Sequence, residues 1–196
     1  LAEDFEMVSP RGVRDDRAGI DRLRSVTVGG AATFAGLVRL EGGTLSAGSL
    51  VNPWLLEFDG GTLRLTAQDL TVGAGGAFGN TLAMAAGKKL EVDQTILVAG
   101  DGLLLVDGGA SVDAGVLDNA GEVLLSASSA RVAGGGLVNR GVFGGTGRVD
   151  APLDNRPGGQ LRAGAGQRLV LIGDGNLNAG VVEAVGGEVE FTGGLT

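Results

Sequence analysis

One short pattern recurs in the second half of this chain and limits the fold more than any other feature. Leu117-Asp118-Asn119-Ala120-Gly121, Leu137-Val138-Asn139-Arg140-Gly141, Leu153-Asp154-Asn155-Arg156-Pro157-Gly158 and Leu177-Asn178-Ala179-Gly180 each place an asparagine just ahead of a glycine turn. Asn119, Asn139, Asn155 and Asn178 follow one another at intervals of 20, 16 and 23 residues. Leu50-Val51-Asn52-Pro53 reads as a degenerate earlier copy. A period near 20 residues is too short for a propeller blade or an ankyrin-type unit and suits one coil of a solenoid, two or three short strands with their corners. The uneven spacing places insertions at corners, where loops are tolerated.

The residues between corners read as strands. Thr62-Leu63-Arg64-Leu65-Thr66, Leu103-Leu104-Leu105-Val106, Glu122-Val123-Leu124-Leu125, Leu169-Val170-Leu171-Ile172 and Glu188-Val189-Glu190-Phe191 are short apolar or alternating runs bounded by glycine punctuation. No glycine-free window sustains a 3.6-residue period, so no long helix is expected. There are 39 glycines, yet hydrophobic residues make up 43% of the chain, so the turns come without the low hydrophobicity of a disordered segment. A two-sheet sandwich also has many short strands, but sandwiches rarely repeat one corner at one period and carry more aromatics than the 4% here. The expected fold is all-β: a single-stranded, right-handed parallel β-helix of about eight coils, on the order of 40 Å long. In such a stack the asparagine amides would form a hydrogen-bonded ladder, with asparagine and its glycine supplying the left-handed backbone of the corner.

Residues 1–24 differ from the rest. Eleven are charged, six acids (Glu3, Asp4, Glu6, Asp15, Asp16, Asp21) and five arginines (Arg11, Arg14, Arg17, Arg22, Arg24). Val13, Ile20 and Leu23 fall on one side of a helix, so this stretch is expected to be a short amphipathic cap over the first coil or a polar tail. Residues 25–196 form the expected solenoid domain. The corner pattern calls for another asparagine about 19 residues after Asn178, so the solenoid is expected to continue beyond residue 196 in a longer protein. The Leu1-Ala2-Glu3 start suits a chain trimmed after an export signal. No stretch approaches the roughly 18 apolar residues of a membrane span.

The Leu-x-Asn-x-Gly corners, with Glu41-Gly42-Gly43-Thr44-Leu45, Gly60-Gly61-Thr62-Leu63 and Gly144-Gly145-Thr146-Gly147, resemble the glycine-rich repeats of secreted bacterial β-helix proteins, among them autotransporter passenger domains and filamentous adhesins. The resemblance covers most of residues 40–196. It implies export, a cell-surface or extracellular setting, and an adhesive or scaffolding role, and it carries over no catalytic signature.

Composition narrows the chemistry. Histidine, cysteine and tyrosine are absent, which removes Ser-His-Asp and Cys-His nucleophiles, His and Cys metal ligands, and disulfides. A net charge of −8 argues against nucleic acid as a partner. A structural or adhesive module that is not an enzyme and uses no cofactor is therefore the leading expectation. A polysaccharide lyase or hydrolase is its rival, and for it the acids Asp101, Asp107, Asp113 and Asp118 are the candidate calcium or catalytic cluster. Most of them sit next to glycine or at a corner and so have the simpler explanation of a turn residue. A third reading is an anionic-glycan binder. Arg131, Arg140, Arg148, Arg156, Arg162 and Arg168 crowd one section of the chain after an acidic section from Glu91 to Glu122, and such a stripe suits a glycan or another copy of the protein. Glu188 and Glu190 share a strand face by simple alternation. Trp54, the only tryptophan, lies in an apolar run with Phe58 and is expected in the core.

Overall fold

The structure, a computed structural model, describes residues 5–7, 21–22 and 25–195. These residues form a parallel β-solenoid. Every strand pairing among them is parallel and joins one coil to the next, in three ladders that run the length of the stack. The first ladder can be followed through a single inward-facing position: Val26, Leu45, Leu63, Leu90, Val112, Val132, Val149, Leu171 and Phe191 lie opposite one another in turn. Nine rungs make about eight turns, and at the usual strand spacing the stack is about 40 Å tall.

Alternation along each strand produces the core. Leu103–Val106 buries Leu104 and Val106, and Arg168–Leu171 buries Leu169 and Leu171, while their neighbours face out. Phe34, Leu40, Leu63, Leu90, Ile96, Leu104, Leu117 and Phe143 are fully buried and belong to one continuous cluster. Along the first ladder each inward side chain lies on an apolar side chain of the neighbouring coils, so this part of the core is a continuous column.

The strands are longer than the runs of four to six apolar residues suggest. Val38–Val51 and Glu122–Gly134 pass through corners without leaving the ladder, bending where the register shifts, as between Ser126 and Arg131. Coil length varies as the spacing implied. Thr44 lies opposite Thr62, but Thr62 lies opposite Lys89, because a glycine-rich loop over residues 73–80 is inserted at one corner of that coil.

The expected charged cap lies largely outside the described residues. Within residues 1–24, Phe5–Met7 and Asp21–Arg22 are strands, paired with Ala32–Phe34 and Val38–Arg39.

Of the corner glycines, Gly158 has the expected positive φ, 91°, while the other three play a different part. Gly121, Gly141 and Gly180 do not have positive φ, and neither do Asn119, Asn139, Asn155 or Asn178; Asn52 is the only described non-glycine residue that does. What they lack is room. A Cβ on Gly121 would lie 2.1 Å from the Ala99 carbonyl oxygen, and one on Gly141 would lie 2.1 Å from that of Gly121. Glycine is required because the backbone of one coil rests directly on that of the previous one. Gly141→Ala is therefore expected to destabilise the fold by about 2 kcal/mol or more. Gly136→Ala, where a Cβ meets nothing within 4 Å, should change stability by less than about 0.5 kcal/mol. Thermal unfolding of the two variants side by side tests this.

Candidate functional site

The asparagines are brought into one buried column. Asn119, Asn139, Asn155 and Asn178 face one another in register, and the first three are fully buried. Asn119 Nδ2 donates to Asn139 Oδ1 at 2.8 Å, Asn139 Nδ2 to Asn155 Oδ1 at 2.8 Å, and Asn155 Nδ2 to Asn178 Oδ1 at 2.6 Å. The same three amides also donate to the carbonyls of Val142, Gln160 and Val181, on the far side of the corner. Asparagine suits the position because its amide carries both an acceptor and two donors. The column ends where the register meets Val98, and there Asn119 Oδ1 is buried with no hydrogen-bond partner. A further buried asparagine, Asn176, accepts from the Leu153 N–H and donates to the Gly173 carbonyl. It lies outside the repeated motif and gave no signal in the sequence.

The acids Asp101, Asp107, Asp113 and Asp118 are dispersed rather than gathered. Asp101 accepts from the Ala74 N–H and from Asn80 Nδ2, both at 3.1 Å, so it ties down the 73–80 loop. Asp107 accepts from the Ser126 hydroxyl, and Asp118 pairs with Arg140. Asp113 is exposed and lies opposite Glu91 in the ladder. Among the described residues no group of three or more acids is close enough to hold a metal ion.

The arginine stripe is a set of ion pairs. Arg131 and Arg148 both contact Asp150, Arg140 contacts Asp118, Arg156 contacts Asp154, Arg162 contacts Glu183, and Arg168 contacts Glu188 and Glu190. Arg39 and Arg64 are also paired, with Glu57 and with Asp93. Most of these bonds run from one coil to its neighbour. Parallel stacking would set Arg131 directly over Arg148, and Asp150 between them relieves the repulsion. Burial alone would push the Asp150 carboxyl up, but the hydrogen bonds from Arg148 and Arg131 outweigh it and hold it below the usual carboxylate range.

Several shallow grooves cross the described coils, and two of them gather polar side chains over a glycine floor. The first, about 540 Å³, lies at the corner between the first and second ladders, with Arg64, Glu91, Asp93 and Asp113 around a floor that includes Gly115, Gly134 and Gly135. Its charges are partly spent on one another: Arg64 binds both Asp93 oxygens, at 3.3 and 3.1 Å, and Lys89 pairs with Glu91 at 2.5 Å. The second, about 530 Å³, follows the corner above the asparagine column, over Gly102, Gly121, Gly141 and Gly158, with Asp101, Glu122 and Gln160 at its sides. No aromatic side chain lines either groove.

Trp54 is not in the core. It is 72% exposed, on a single turn of 3-10 helix, Pro53–Leu55. The apolar run around it misled the sequence reading, since Leu55 and Leu56 turn inward while Trp54 alone turns out.

The chain matches no protein-family model, no curated protein and no solved structure. Among the described residues no helix is long and apolar enough to cross a membrane.

Asn139→Leu would interrupt the column, removing the bond that Asn139 accepts from Asn119 Nδ2 and those it donates to Asn155 Oδ1 and the Gln160 carbonyl, and should cost about 3 kcal/mol in denaturant unfolding. Because the folded pKa of Asp150 lies below its unfolded value, its contribution is complete above about pH 4 and is lost as pH falls through the folded pKa. Asp150→Asn should therefore flatten the acid limb of stability against pH, as read by unfolding midpoints between pH 2 and pH 6.

Proposed function

We propose that the protein is a non-catalytic structural and adhesive module of an exported bacterial protein at the cell surface or outside the cell, the role implied by its likeness to autotransporter passengers and filamentous adhesins. The observation that carries this reading is how the polar residues are used. The buried asparagines bond coil to coil, and each of the eight arginines from Arg39 to Arg168 is matched with a carboxylate, most often on an adjacent coil. The guanidiniums that would line an anionic-ligand track are occupied in bracing the stack. Such a rod displays its corners at fixed spacing and resists local opening, which a surface module exposed to proteases requires.

One observation favours a polysaccharide-active enzyme as a second reading: the first groove sets three carboxylates, Glu91, Asp93 and Asp113, beside Arg64. Against it stand the openness of the groove, the mutual pairing of its charges, and the lack of an aromatic wall on which a sugar ring would be held for acid–base attack.

Two measurements decide between them. Beads coated with the protein should adhere to target surfaces, and the folded chain should survive protease that digests the Asn139→Leu variant. Incubation with polygalacturonate, alginate and neutral glucans should release no new reducing ends or unsaturated products. Turnover that disappears in Asp113→Asn and Arg64→Ala would replace the scaffold reading with the enzyme reading.

A further inference from the structure

The coils are not bonded to one another equally along the stack. Among the described residues no strand pairing joins residues 50–51 to Leu70–Val72 of the following coil, and none joins residues 56–58 to Thr81–Met84. The ladder that carries the asparagines and the ladder of Leu104 and Val123 each miss one rung there, on the two sides of a single corner. The first ladder misses none: Leu45, Leu63 and Leu90 stay opposite one another through the same coils. The cause lies in the corner itself. A single turn of 3-10 helix, Pro53–Leu55, meets the longer glycine-rich loop over residues 73–80, and two backbones of unequal length do not lie one upon the other.

Side chains take over where the backbone bonds are missing. The Leu50 N–H donates to Gln68 Oε1 at 2.7 Å. The Lys88 ammonium stands 5.4 Å from the centre of the Phe58 ring and donates to the Ala83 carbonyl at 3.2 Å, so one cation holds both lips of the gap. Ala77 and Phe78 of the loop pack against the core, and Asp101 fastens the loop to the next coil through the Ala74 N–H and Asn80 Nδ2. The lips are less well sealed than the coils beyond them. Phe58 is 7% exposed where Leu40 opposite it is 0%, and Leu82 is 5% exposed where Leu104 opposite it is 0%.

We propose that this seam is a joint built into the rod, with the unbroken first ladder as its hinge and the corner of residues 53–55 and 73–80 as its mouth. The coils before it tilt as a block against the coils after it. Opening parts the apolar lips and breaks the Gln68 and Lys88 contacts but no backbone bond, whereas the same tilt at a fully paired interface would break two ladders, so the least costly opening of the rod is here. The joint gives a stiff rod one fixed place at which it changes direction.

The chain has no cysteine, so paired spin labels report only on the positions chosen. Labels at Val51→Cys and Thr81→Cys, exposed positions on opposite lips, should give a distance distribution at least twice as wide as labels at Gln94→Cys and Ala120→Cys, exposed positions on two fully paired coils. Adding Gln68→Ala and Lys88→Met should widen the first distribution and leave the second unchanged. In the same double variant, hydrogen exchange should rise at least threefold over residues 50–58 and 70–84 and stay at the parent rate over residues 103–134. Two distributions of equal width, or exchange at the seam unmoved by the double variant, would overturn the joint. Exchange that rises equally in every coil would overturn it as well, since it marks a loss of overall stability and no local opening.

Discussion

Parallel, in-register stacking is the constraint from which the rest of this structure follows. When every strand lies over its counterpart one coil away, at about 4.8 Å, each side chain meets the equivalent side chain of its neighbours, and what is allowed at a position depends on what can lie on itself. Aliphatic residues can, as the column from Val26 to Phe191 shows. Asparagine can, because its amide is donor and acceptor at once. Glycine must, wherever the backbone of one coil touches that of the next. Like charges repel when they are stacked, and where Arg131 lies over Arg148 the Asp150 carboxylate is set between them.

This explains which parts could be read from the sequence. The interior repeats because like must stack on like, so the asparagine corners and alternating apolar runs make the coil, its length and the number of turns legible in the sequence alone. The outward positions carry no such repeat. Arg140 reaches back to Asp118, Arg162 forward to Glu183, and Arg156 to Asp154 two residues before it. A cluster of arginines in sequence could therefore be a cationic stripe or a set of cross-coil braces, and only the register distinguishes the two. Trp54 failed for a related reason: an apolar run at a corner does not alternate, so its pattern does not say which member turns outward.

The corners carry what variety the fold has. One accommodates the loop over residues 73–80, fastened by Asp101; another displays Trp54; two broaden into glycine-floored grooves. The ladders between them are nearly uniform. A scaffold of this kind separates durability, which lies in the ladders, from recognition, which lies at the edges.

The uniform reach of the ladder contacts has a kinetic consequence. Partners along the stack are separated by one coil, from 16 residues between Asn139 and Asn155 to 29 between Arg64 and Asp93, and none of the ladders joins distant ends of the chain. A newly made segment need only await the next coil to close its backbone bonds, so order can begin anywhere along the rod and spread to either side. Formation is then paced by the first pair of coils to meet, and the chain can build itself as it emerges, one layer upon the last.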